Sequence, residues 1–455
     1  MTQPPFCLHS DTSPHRGKAD WVIALYVAHR STSSDNCFRG RYHHYFSYGH
    51  GTITKDLFLN RTPAHYSTDA PLVSLEPVCW GAFMAQTMGH TFIIGASGSG
   101  KSTLLKTNII VDMEAGHAVC FIDPHGEDID DLMQYVPRHR LKDTILFDPT
   151  DPTHYITWNP LAEVNNPPLM ATSLSDTIKD AWGYHGQTTP VLDMYLFFTV
   201  LTLIENHLSF FDSLTVLTDK DFRAELSFTP VLQTFWNNFD AMTPKEQRDS
   251  TSSTLNKLFV LFGDERLQRL LASRKGQFTM SDTVKDKILF VKLPQGQLGL
   301  SKVSLIGSVL LSQMHLACLR RDPTVPFHLY IDEVHHFAPS TLSEMLSGLR
   351  KFNVSLTVAH QYIEQLERPF FAALMGNAAE RHIFTVSPED ADRFQERLGR
   401  YGSHFNLDEL EPHQYRTFPW HQSRSDSLTV PLSNPTVAMP GKILTQTRRN
   451  YCKRI

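Results

Sequence analysis

The stretch Thr91-Phe92-Ile93-Ile94-Gly95-Ala96-Ser97-Gly98-Ser99-Gly100-Lys101-Ser102-Thr103 decides the fold. Residues 95–102 match the phosphate-loop pattern G-x-x-x-x-G-K-[S/T] in full. The short apolar run before them reads as a buried strand, and Thr103-Leu104-Leu105-Lys106 opens a helix, which is the context the pattern requires. The three glycines let the backbone curl so that its N–H groups can cradle phosphate oxygens, and the helix behind adds its positive end. The reading assigns Gly95, Ala96, Ser97, Gly98, Ser99, Gly100, Lys101, Ser102 and Thr103 to nucleotide binding. Lys101 supplies a point charge to the β- and γ-phosphates, and the Ser102 hydroxyl is a Mg²⁺ ligand.

Outward from this loop, strand and helix patterns alternate. A helix over 102–114 is closed by Gly116, and Ala118-Val119-Cys120-Phe121-Ile122 reads as a second buried strand that ends in Asp123-Pro124-His125-Gly126-Glu127. A third, Thr144-Ile145-Leu146-Phe147, ends in Asp148-Pro149. Further strands are expected at 287–293, 327–333, 354–361 and 381–386, with helices at 304–320, 340–351 and after Ser387-Pro388, where Ser387 is the N-cap. Such alternation predicts an α/β fold with a mainly parallel sheet, whose ligands sit at the C-terminal strand ends, where Asp123, His125 and Glu127 fall. Between 165 and 280 the period changes to that of helices (190–206, 222–240, 247–262, 265–272), which predicts a helical insertion. Its aromatics Tyr195, Phe197, Phe198, Phe235 and Trp236 read as core.

A second motif completes the nucleotide site. Leu329-Tyr330-Ile331-Asp332-Glu333 is an apolar strand that delivers Asp332 to Mg²⁺ and places Glu333 to orient and polarise an attacking water. A kinase that transfers phosphate to a bound substrate needs no such second carboxylate, so the pair points to hydrolysis of ATP. Gln361, at the end of the next strand, is placed to hydrogen-bond the γ-phosphate or its water.

Composition sets bounds. The chain has 455 residues, is 41% hydrophobic and 20% charged, and carries a net charge of −5, so any DNA contact must be local and not driven by a global basic field. Six scattered cysteines with no C-x-x-C pair fit a reducing compartment. Trp21–Ala28 is apolar but far shorter than the ~20 residues of a membrane span. The expected location is cytoplasmic, with recruitment to the inner membrane through partners. Residues 1–80 are expected to form an N-terminal extension or small subdomain, with strand-like runs near 20–28 and 53–59, and their histidines (His43, His44, His50, His65) show no ligand spacing. The polar stretch 421–455, with Arg448, Arg449, Lys453 and Arg454 near its end, reads as a solvated tail.

Taken in order, the motifs resemble those of the HerA/FtsK superfamily. The residues that carry the likeness are the phosphate loop, Asp-Pro-His-Gly-Glu at 123–127, Asp148-Pro149 with Asn159-Pro160-Leu161, Asp-Glu-Val-His-His-Phe at 332–337, Leu-Arg-Lys-Phe-Asn-Val-Ser-Leu-Thr-Val-Ala-His-Gln at 349–361 and Ser-Pro-Glu-Asp-Ala at 387–391. The nearest branches are HerA-like helicases and the TraG/TraD-type coupling ATPases of conjugation and type IV secretion. The resemblance implies a RecA-like ATPase core over 81–164 and 281–420, with 165–280 inserted, assembled as a homo-hexameric ring that moves DNA and binds ATP between subunits. It also implies an arginine finger supplied by a neighbouring subunit, at Arg350, with Arg381 as a second candidate.

The leading expectation is therefore an ATP-hydrolysing ring motor that translocates DNA, of helicase or DNA-pump type. The alternative is a secretion or conjugation coupling ATPase that moves protein or nucleoprotein, and a third reading is a nucleotide-dependent scaffold. A secretion, nuclease or membrane partner is compatible with all of them.

Overall fold

The computed structural model describes residues 42–48, 51–57, 89–184, 187–399, 405–419, 426–429 and 440–454. The chain divides into two units, Met1–Ser74 and Leu75–Ile455. In the first, strands β1 (Tyr42–Tyr48) and β2 (Gly51–Leu57) pair antiparallel as a hairpin. The expected strand near 20–28 lies outside the described residues.

The second unit is built on a nine-stranded sheet. In chain order its strands are β3 (His90–Ile94), β4 (Ala118–Asp123), β5 (Thr144–Phe147), β7 (Ile288–Lys292), β8 (Phe327–Ile331), β9 (Val354–His360), β10 (Ala378–Ile383), β11 (Gln414–Thr417) and β12 (Asp426–Thr429). In space the order is β12-β11-β10-β3-β9-β8-β4-β7-β5. Pairing is parallel from β10 across to β5, while β11 and β12 add antiparallel at the other edge. Every residue of β4, β8 and β9 is buried, so β4 reads as a continuous apolar run, while β8 and β9 bury His328, Ser355, Thr357 and His360 among their apolar residues.

Alternate side chains feed two separate cores. Ile93, Val119, Phe121, Phe290 and Ala359 pack with Leu104, Leu105, Ile109 and Met113 of the helix Lys101–Glu114 on one face. Phe92, Ile94, Cys120, Ile122, Leu329 and Val358 face the opposite core, with the helix Leu300–Cys318 and the inserted helices. This period of two fixes the register of each strand, because a one-residue slip would exchange the two faces.

Between the short strand β6 (His154–Tyr155) and β7 the described chain runs in helices and turns. Four of these helices, Pro167–Ala181, Pro190–Glu205, Pro230–Asp240 and Pro244–Phe262, begin with proline in the first turn, where its missing N–H costs no hydrogen bond. The region expected as one helix over 222–240 is two, Lys220–Ala224 and Pro230–Asp240, and Pro230 starts the second. Tyr195 and Trp236 are fully buried, and Trp236 Nε1 donates to Thr202 Oγ1 at 2.9 Å, so these aromatics build the interior of the insertion.

The solvated tail is corrected. Helix Pro440–Tyr451 docks beside β5: Thr447 Oγ1 donates to the Thr144 carbonyl at 3.1 Å, and the Arg448 guanidinium forks onto Asp151 at 2.9 and 3.0 Å. Strand β13 (Lys453–Arg454) then pairs antiparallel with β6. Composition alone missed this because scattered contacts, one buried threonine, one ion pair and the packing of Leu444 and Tyr451, and not a continuous apolar run, hold the helix in place.

Candidate nucleotide and catalytic site

The phosphate loop leaves β3 at its C-terminal end and is tied down on both sides. Gly95 N donates to the carbonyl of His360, the last residue of β9, at 3.2 Å, and Ala96 N donates to Thr385 O, just beyond β10, at 2.7 Å. Gly100, at φ 113°, turns the chain into the helix Lys101–Glu114, and a Cβ there would lie 2.9 Å from His413 Nδ1. Only glycine fits this junction. The Ser99 hydroxyl is buried inside the loop, against Gly95, without a hydrogen-bond partner.

The loop opens on a cleft of about 400 Å³ lined by Ser97, Gly98, Gly100, Lys101, Ser102 and Thr103 together with Asp123, His125, Glu127, Asp332, Glu333 and Gln361. Residues read separately from the sequence thus converge at the C-terminal edge of the sheet. Gly95, Ala96 and Ser99 do not line the cleft; they shape the loop that does. Lys101 Nζ donates to the carbonyls of Gly95 at 2.7 Å and Ala96 at 3.1 Å, which aims the ammonium along the loop. Burial pulls its pKa below the usual value against the opposing pull of Asp332 and Glu333.

The acidic side of the cleft is strained and under-solvated. Asp332 is buried at the end of β8, and burial, then Glu333, then Asp123, push its carboxyl up to about 7. Such a group favours a cation beside it, because a cation stabilises the ionised form. Glu333 stands at φ 45°, ψ 54°, a left-handed conformation that costs a non-glycine residue about 1 kcal/mol or more and is typical of functional positions. Gln361 donates its side-chain amide to Glu333 Oε1, and Oε2 is buried with no hydrogen-bond partner. This contact follows from topology: β9 lies between the loop strand β3 and the carboxylate strand β8, so its end faces both halves of the site.

Asp123 has a different job. Its carboxylate accepts from the backbone N–H groups of His125 at 2.8 Å and Asp128 at 3.1 Å, fixing the turn into helix Glu127–Leu132. His413 was not anticipated. It reaches the cleft from more than 300 residues downstream, in a left-handed turn (φ 65°), with its backbone N–H donating to Ser99 O at 2.8 Å. No local pattern in the sequence marks it.

The arginines part company. Arg381 is buried, and its guanidinium donates to the carbonyls of Met375 and Phe418, so it holds its own chain together. Arg350 is exposed in the turn Leu349–Phe352 that leads into β9, and its charge acts on His90 at the start of β3. The seven residues of β9 separate that turn from Gln361 by about 20 Å, so Arg350 cannot serve its own cleft.

A glycine loop ahead of a helix, a buried Asp-Glu pair at a strand end and a polar residue on the strand between them define a P-loop NTPase with a RecA-like core. More narrowly, residues 82–402 match the type IV secretion-system coupling protein DNA-binding domain family, and the chain belongs to that family. Among solved structures it is similar to the bacterial conjugative coupling protein TrwB, unbound (TM-score 0.56, 14% identity, 77% of this chain and 87% of that one), and to TrwB in complex with the ATP analogue ADPNP (0.57, 16%, the same coverage). It is also similar to VirB4 of Thermoanaerobacter pseudethanolicus (0.53, 16%, 76% and 89%). No curated protein matches the chain by sequence. Of the two motor readings, the family favours coupling in type IV secretion over a helicase or free DNA pump. Among the described residues, no helix is long and apolar enough to cross a membrane.

Proposed function

We propose that this chain is a coupling ATPase of type IV secretion, which binds DNA and uses ATP hydrolysis to pass nucleoprotein to a secretion apparatus. The observation that carries the reading is the Gln361–Glu333 contact beside Lys101 and Asp332 in one cleft, on a chain of the coupling-protein family. TrwB, of similar fold, has been seen with ADPNP and with ADP and Mg²⁺.

Lys101 would neutralise the β- and γ-phosphates, while Ser102 and Asp332 would hold Mg²⁺. When bound, that ion supplies charge neutralisation on the phosphate oxygens. Glu333 orients and deprotonates the attacking water, and Gln361 fixes the Glu333 carboxylate through Oε1 so that one oxygen stays free. Because Arg350 cannot reach its own cleft, it would act on the cleft of an adjoining copy, which requires a ring such as a homo-hexamer.

The test is ATP turnover of the full chain with and without single- and double-stranded DNA, paired with a strand-displacement assay. The coupling reading expects DNA-stimulated turnover without strand displacement. Processive displacement would return the assignment to a helicase, and turnover indifferent to DNA would remove DNA as the cargo.

A further inference from the structure

Around Glu333 lies a set of groups that hydrolysis does not use. Oε2 of Glu333 stands 3.5 Å from His335 Nδ1 and 4.0 Å from His360 Nδ1. Glu333 Oε2, His335 Nδ1 and both ring nitrogens of His360 are buried without a hydrogen-bond partner. Unsatisfied polar atoms are rare in protein interiors, and three residues that bring such atoms together call for a ligand. One atom from each of the three residues lies within 4.8 Å of the other two. The O–N separations are at or beyond the limit of hydrogen bonds. The shorter, 3.5 Å, is close to the ~3.3 Å between neighbouring ligands of a tetrahedral ion with bonds of about 2.0–2.1 Å, and the longer, 4.0 Å, would close on it by a small turn of the His360 ring.

We propose that Glu333, His335 and His360 form a site for one imidazole-preferring transition-metal ion of the Zn²⁺ class, and that its occupancy takes Glu333 away from the attacking water. Two imidazoles and one carboxylate suit Zn²⁺, whereas Mg²⁺ prefers oxygen ligands and stays with Ser102 and Asp332. The frame is rigid. His360 ends β9, and its carbonyl accepts from Gly95. The loop that carries His335 is clamped onto helix Leu300–Cys318, where Ala338 N donates to Ser308 Oγ at 2.9 Å and Phe337 packs so closely over Gly307 that an added Cβ would lie 2.1 Å from its ring. A separate pocket of about 170 Å³ at the seam between insertion and core reaches one member of the set, His335, and is lined also by His336, Asp180 and Gly183. A metal held here would join the end of β8 to the strand that anchors the phosphate loop and act as a reversible brake. Metal binding stands on its own; the brake rests on the role proposed for Glu333 in hydrolysis.

The test uses the full chain in excess Mg²⁺, titrated with Zn²⁺ against a chromophoric chelator, and with Co²⁺ as a probe whose visible spectrum distinguishes tetrahedral nitrogen ligation from an octahedral oxygen site. The wild type should bind one equivalent with a tetrahedral Co²⁺ spectrum. His335→Asn, at a half-buried position, should weaken binding at least about tenfold, and Ser102→Ala should leave it unchanged. Zn²⁺ should suppress ATP turnover of the wild type, a chelator should restore it, and His335→Asn should resist. Equal Zn²⁺ binding by His335→Asn, or loss of binding in Ser102→Ala instead, overturns the site. Binding that depends on His335 without loss of turnover supports the site and overturns Glu333 as the group that acts on water.

Discussion

The side-chain amide of Gln361 donates to Glu333 Oε1, linking the end of β9 to the end of β8 across the floor of the cleft. A carboxylate that must aim at a water cannot also swing freely, and this bond leaves one oxygen committed and one available. Removing a hydrogen bond to a charged group costs about 1.5–3 kcal/mol, so Gln361→Ala should lower kcat by about 10- to 100-fold. KM for ATP should change little, because the contact supports the water and not the nucleotide. Steady-state kinetics check both numbers, and a rise in KM at constant kcat would place Gln361 on the nucleotide.

Asp332 makes the site sensitive to pH. Its carboxyl is raised from 3.8 to about 7, chiefly by burial, so the folded nucleotide-free protein keeps a proton that the unfolded chain has lost. Stability from this group is therefore present below about pH 4 and is lost as pH rises toward 7. Asp332→Asn should remove that slope in thermal unfolding and make the nucleotide-free protein more stable at pH 7.5, while weakening Mg²⁺-nucleotide binding. In the wild type at pH 6, Mg²⁺-nucleotide binding should release about one proton, read by calorimetry in buffers of different ionisation enthalpy.

Much of the sheet was legible because its strands are buried on both faces: Val119–Ile122, Ile288–Val291 and Leu329–Ile331 are apolar runs that no loop would carry. The glycine loop was legible because its geometry restricts residue type at fixed spacing. Strand order was not, since β9 follows β8 in sequence yet lies between β8 and β3. The antiparallel edge was hidden for another reason: Gln414–Thr417 and Asp426–Thr429 are short and polar, as edge strands are. His413 and the docked C-terminal helix are placed by long-range contacts, to Ser99 and to Thr144, Asp151 and the core under Leu444 and Tyr451, and such contacts leave no local pattern.

The C-terminal helix should contribute measurably to stability. Arg448 forks onto Asp151, and both side chains are more than two-thirds buried. Arg448→Ala should cost about 1 kcal/mol, the value of a well-formed bidentate pair near the surface, and Arg449→Ala close to nothing. Denaturant midpoints of the two variants compare them directly.

Arg350 lies about 20 Å from its own cleft, at the far end of β9, so its effect on turnover should appear only between subunits. Arg350→Ala should lower kcat by about 10³-fold with nucleotide affinity preserved. Mixing Arg350→Ala with Glu333→Gln, each inert alone, should restore part of the activity, since some clefts would then combine an intact Glu333 with an intact Arg350. No recovery on mixing would remove the intersubunit role.

The most direct measurement is ATP binding and single-turnover hydrolysis by Glu333→Gln. The substitution keeps the size of the side chain and a hydrogen-bond partner for Gln361, but removes the charge that polarises water. The account predicts ATP affinity near that of the wild type and hydrolysis slowed by about 10²- to 10⁴-fold, so that ATP stays trapped in the cleft. Hydrolysis at the wild-type rate would contradict it.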